Sequence, residues 1–131
     1  MRKQLIVAAA LIALCANQAT AQQAVDWNGK WLFSGLALNG RLATSFAQIC
    51  DIQTTGSQIS GPCHGPNGSC SLVGVVNGSL IDLTCSLDVI NNPRLDGVLT
   101  FHGGLSPDGI VRGSTTHSGR RGTGQASMMK L

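Results

Sequence analysis

The chain has 131 residues, with 9 Lys and Arg against 6 acids, 17 Gly, 5 Cys and no Tyr. That length suits one domain, and the formal charge of +3 is spread without a basic run, which excludes an electrostatic nucleic-acid binder. Every acid is Asp, strong helix formers are few and turn residues abound, which excludes a mainly helical protein.

The first element predicted is an export signal over residues 1–21. Met1-Arg2-Lys3 is a basic start, residues 5–14 are an apolar run, and Ala19-Thr20-Ala21 is a small-x-small cleavage site. The run is shorter than the roughly twenty residues that a membrane-spanning helix needs, so no membrane span is expected. Lipoprotein processing at Cys15 is the alternative, although Leu14 is not the small residue that route requires before the cysteine. Cleavage after Ala21 leaves one domain over residues 22–131, with a net charge near +1 and four cysteines, Cys50, Cys63, Cys70 and Cys85. The expected location is the periplasm or the extracellular space.

Beyond residue 22, short apolar stretches alternate with turn signals about every ten residues, the pattern of an antiparallel all-β domain. The turns are Asn39-Gly40, Thr55-Gly56-Ser57, Pro66-Asn67-Gly68, Asn77-Gly78, Asn91-Asn92-Pro93, Pro107-Asp108-Gly109 and Ser118-Gly119. They separate strands predicted at 30–37, 42–53, 58–63, 70–76, 79–87, 95–102, 109–115 and 121–128. Alternation is clearest where Ile81, Leu83, Cys85 and Leu87 oppose Asp82, Thr84 and Ser86, and where Leu95, Gly97, Leu99 and Phe101 oppose Asp96, Thr100 and His102. Eight strands with one dry face and short turns predict a small eight-stranded antiparallel up-and-down β-barrel. A two-sheet sandwich is the alternative. Gly61, Gly74, Gly103 and Gly113 each follow an apolar residue by two positions, a weak repeat suited to tight bends or to side chains crossing the barrel.

An even cysteine count in an exported domain implies two disulfides. A two-residue turn at Gly56-Ser57 places Cys50 opposite Cys63. A type I′ turn at Asn77-Gly78 places Cys70 opposite Cys85. Opposed residues lie within bridging distance. Pro62, lacking an N–H, predicts a bulge or an edge position beside Cys63. The second pairing scheme joins Cys63 to Cys70 and Cys50 to Cys85. A metal site at Cys63, His64, Cys70 and Cys85 lacks the C-x-x-C spacing of structural zinc sites, and no metal or cofactor is expected.

Catalytic patterns are missing from the sequence. His64, His102 and His117 are far apart, and His102 shares a polar strand face with Thr100. No Gly-x-Ser-x-Gly elbow, phosphate loop or His-Glu-x-x-His occurs, and the Asp residues are scattered. A non-enzyme is expected. Asn67 and Asn77 stand in glycosylation sequons that are also turns, and Met128-Met129 reads as core or strand end.

Asp26-Trp27-Asn28-Gly29-Lys30-Trp31 opens the first strand, and its Gly29-x-Trp31 resembles the first-strand motif of the calycin superfamily, which includes lipocalins and avidins. The stretches 58–68 and 101–109 also resemble small exported bacterial proteins. The calycin resemblance implies a barrel in which Gly29 and Trp31 are structural. Trp31 would pack across the floor beneath a basic residue near the last strand, a place Arg120 or Arg121 could take. It also implies binding of a small apolar ligand by inward residues, Trp31, Phe33, Phe46, Ile81, Leu83, Leu99 and Phe101 among them. Avidin's biotin pocket is not implied, because Trp27 and Trp31 are the only tryptophans. The second reading is a protein partner. Small periplasmic β-barrel inhibitors of secreted metalloproteases use an N-terminal arm, and residues 22–26 would be that arm here.

Overall fold

In a computed structural model the chain is described over residues 25–39, 42–91, 93–119 and 121–131. The export segment, Arg120 and residues 22–24 of the arm lie outside these described residues. The described residues form eight strands: β1 (Gly29–Asn39), β2 (Leu42–Thr55), β3 (Gln58–Gly65), β4 (Gly68–Asn77), β5 (Leu80–Val89), β6 (Gly97–Leu105), β7 (Ile110–His117) and β8 (Gly124–Lys130). A single 3-10 turn at Pro93–Leu95 precedes β6. Each strand pairs antiparallel with the next, and β1 pairs with β8, so the sheet closes into an up-and-down barrel and the sandwich is ruled out.

Closure turns the apolar side of the binary pattern inward. Inward positions are apolar, among them Ile52, Ile59, Leu72, Ile81, Leu83, Leu99, Phe101, Val111 and Met128, all buried. Outward positions such as Asp82, Thr116, Arg112 and Gln125 are exposed. No helix among the described residues is long and apolar enough to cross a membrane. The repeated glycines sit on the inward side, where a side chain would strike a neighbour. A Cβ at Gly61 would collide with the Asp51 carbonyl, and one at Gly103 with the Phe101 ring.

Both hairpins named for the cysteines form, with one correction of register. Thr55 pairs with Gln58 around Gly56-Ser57, and Cys50 faces Cys63 directly, with Cα atoms 4.0 Å apart. Asn77 instead pairs with Leu80, so the second turn is Gly78-Ser79 and not Asn77-Gly78. Gly78 has φ +59° and Asn77 is not in the left-handed region. Positive φ at the first central residue alone is the II′ pattern, whereas I′ needs it at both. The shift sets Cys70 against Leu87 and Cys85 against Leu72. It moves the partner by two residues and therefore keeps both cysteines on the inner face. They bridge diagonally, with Cα atoms 5.5 Å apart.

Pro62 causes no bulge. Pairing of β2 with β3 lapses between Cys50↔Cys63 and Gln53↔Ser60, then resumes in the same register. No residue is inserted; the ladder skips where Pro62 has no N–H to give.

Candidate functional site

One end of the barrel is sealed by the segment before β1. Trp27 is 3% exposed and stacks on Trp31 with ring centroids 5.3 Å apart. Trp31 Nε1 donates to the Trp27 carbonyl at 3.0 Å, which satisfies the buried indole. Asn28 Oδ1 accepts from the backbone N–H and the hydroxyl of Thr54, at 2.9 and 3.1 Å. Lys130 Nζ donates to the Asp26 carbonyl at 3.0 Å and lies 6.0 Å from the Trp31 ring centroid. The basic residue near Trp31 is therefore Lys130. Arg121 is exposed before β8 begins, on the far side of that strand, because Trp31 pairs with the strand's last residue. Val25 packs on the core and Asp26 is held by Asn28 and Lys130, so the described part of the expected inhibitory arm is tied down.

Of the seven apolar residues expected to meet a ligand, Trp31, Phe33, Ile81, Leu83, Leu99 and Phe101 come together in the interior at no more than 2% exposure. Phe33 meets Phe101 edge-on at 5.3 Å and Phe46 at 5.1 Å. Buried to that degree, these six belong to one packed core and offer a ligand little surface. Phe46 alone of the seven is half-buried.

Polar groups collect toward the opposite end. Gln48 Nε2 donates to the Gly68 carbonyl at 3.4 Å, while its Oε1 is buried without a partner. His117 Nδ1 accepts from the Gly119 N–H at 3.0 Å, which places the ring proton on Nε2, where it is given to the Leu95 carbonyl at 3.1 Å.

Among the described residues, two open depressions lie on the outer wall. One open depression of about 510 Å³ is lined by Gln58, Val73, Val75, Asp82, Thr84 and His102. A second, of about 750 Å³, is lined by His102, Arg112, Ser114, Gln125, Ser127 and Ser34. His102 belongs to both. The registers set Gln58, Val75, Asp82, His102, Ser114 and Gln125 side by side across β3 to β8. His102 Nδ1 is bound to Asp82 Oδ1. That contact fixes the ring and leaves Nε2 as its outward-facing polar atom. His64 stays apart from this row, on β3 beside Ser69. Sequence reading placed His102 on a polar face but missed Asp82 and Ser114 as its neighbours. The only signal for them was the strand register.

Two outer carboxylates titrate low. The Arg112 guanidinium, donating to both oxygens of Asp108 at 3.1 and 2.7 Å, holds that carboxyl below the usual range, and the Ile110 N–H adds to it. The Asn28 N–H and side-chain amide do the same for Asp26, with Lys130 contributing. A depressed folded pKa gives stability that is present above the unfolded carboxylate range and lost as pH falls through the folded value. Melting temperature should therefore fall on acidification below about pH 4. Replacing both, Asp26→Asn with Asp108→Asn, should flatten that acid limb by a small amount, because both groups face solvent. An acid limb unchanged in the double variant would refute the assignment.

The cysteines form a buried row. Cys50, Cys63 and Cys85 are 0% exposed and Cys70 is 5%. The Sγ atoms of Cys63, Cys70 and Cys85 all lie within 4.8 Å of one another. With Cys50–Cys63 and Cys70–Cys85 closed, none of them is a thiolate that could hold a metal. Comparison with protein-family models, with curated proteins and with solved structures finds no match.

Proposed function

We propose that this chain is an exported, non-catalytic binding protein of calycin-like build that takes its ligand on the outer wall at His102. The observation that carries this is the meeting of two open depressions at one histidine, held by Asp82 with its Nε2 outward. Ligand sites are concave and combine apolar lining with a few oriented polar groups. Val73 and Val75, about half exposed, supply the apolar part. The tightly packed interior argues against the deep apolar pocket that calycins use. Two disulfides suit an oxidising compartment, which supports export.

The order Asp82, His102, Ser114 is also that of an acyl-transfer triad. Ser114 lies mid-strand in β7, paired on both sides, so the N–H groups around it serve the ladder and are not turned outward as oxyanion donors. Binding without catalysis is the reading this supports.

The test is native mass spectrometry of the protein purified from its own host. It should show a chain starting at Gln22, two bridges and a retained ligand. His102→Ala should lose that ligand while keeping the wild-type far-UV spectrum. Ligand retained equally by His102→Ala would overturn the site, and a measurable esterase activity lost with Ser114→Ala would overturn the non-catalytic reading.

A further inference from the structure

We propose that the two disulfides act as one exchange unit, so that two-electron reduction re-bridges the chain as Cys63–Cys70 and leaves Cys50 and Cys85 as thiols. The native bridges join β2 to β3 and β4 to β5. Between them, Cys63 and Cys70 are direct cross-strand partners on the same inner face of β3 and β4. Their sulfurs and that of Cys85 share one cluster, each within 4.8 Å of the others. Cys63–Cys70 would also close the shortest loop of the three, around Pro66-Asn67.

Reduction begins at the more accessible bridge. Cys70 is 5% exposed and the other three sulfurs' residues are at 0%. A dithiol reductant, itself oxidised to its disulfide, converts Cys70–Cys85 to two thiols. Cys70 then gives up its proton, and its thiolate attacks Sγ of Cys63. The Cys63–Cys70 bond forms as the Cys50–Cys63 bond breaks, and Cys50 leaves as a thiolate that takes up a proton. One disulfide remains throughout this second step, so no further oxidant or reductant is consumed. The effect is to release the β2–β3 and β4–β5 clamps and to staple the central hairpin instead.

The experiment treats the native chain with limiting dithiothreitol, quenches it with acid, alkylates it and maps its peptides. At least about half of the two-electron-reduced molecules should carry Cys63–Cys70 with Cys50 and Cys85 alkylated, since the attacking sulfur starts within 4.8 Å of Cys63 Sγ and the bridge it forms closes the shortest loop. Molecules carrying only a native bridge, with the other native pair alkylated, would overturn the proposal. As a second measurement, Cys50→Ala with Cys85→Ala should oxidise in air to Cys63–Cys70 and keep the barrel's far-UV spectrum. A folded double variant that keeps two free thiols would also overturn it. If that variant does not fold, the mapping of the native chain decides alone.

Discussion

Trp27→Ala should destabilise the barrel by about 3–5 kcal/mol, the range for removing a buried large aromatic. Trp27 lies outside every strand, yet it is 3% exposed and belongs to the core. Its ring is the plug: it stacks on Trp31, and its carbonyl receives the Trp31 indole N–H. Alanine keeps that carbonyl but opens a cavity under Trp31, at the end where Val25 also packs. Water entering there would reach Met128 and Ile52, which are now 0% and 1% exposed. Lys130→Met is the control. It removes a charge that is largely in solvent and should cost less than about 1 kcal/mol. Urea unfolding followed by far-UV circular dichroism measures both. A loss under about 1 kcal/mol for Trp27→Ala would mean that the segment before β1 does not seal the barrel.

Removing the diagonal bridge, by Cys70→Ala with Cys85→Ala, should cost about 3 kcal/mol, the value the loop-entropy model gives for a loop of this size. The bridged residues are 15 apart in sequence, and Cys50 and Cys63 are 13 apart. The two loops do not overlap, so their effects on the denatured chain are separate. Removing all four sulfurs should therefore approach about twice the single loss, a large share of the ~5–15 kcal/mol that a domain has in total. Alanine is the right replacement because serine would bury an unpaired hydroxyl. Guanidinium midpoints of the three variants test this. If each double variant unfolds within about 0.5 kcal/mol of the parent, the bridges do not stabilise this barrel.

The fold was legible because its signals are local and repeated. Turn residues occur about every ten positions, and the period-two alternation in 81–87 and 95–101 marks one face as dry. Strand ends came within a few residues of those observed, whereas the choice of barrel over sandwich was made by the β1–β8 pairing. The disulfide pairs were legible for a related reason. A two-residue error in register preserves the face, so the wrong turn at Asn77-Gly78 still brought Cys70 and Cys85 together. The Gly-Ser pair that forms the first turn recurs at Gly78-Ser79, and that recurrence was the signal for the true register.

The site was legible only in part. Trp31 is buried and stacks on Trp27, a neighbour that no strand pattern announced. Its basic neighbour is Lys130 rather than Arg121, because β1 and β8 run antiparallel and the start of β1 lies beside the end of β8. Asp82, His102 and Ser114 lie 12 to 32 residues apart, and no motif joins residues so separated until two registers are set.

The sequence by itself determined that this is an all-β chain of eight antiparallel strands with four cysteines paired across two hairpins, since propensity, turn chemistry and alternation act over a few residues. The tertiary structure alone decided that the interior is packed, that Trp27 closes one end, and that His102 stands between two depressions. It also brought three sulfurs from three strands within 4.8 Å of one another. Those outcomes depend on which strands are neighbours and at what stagger, and closing the sheet sets both at once through contacts far apart in the chain.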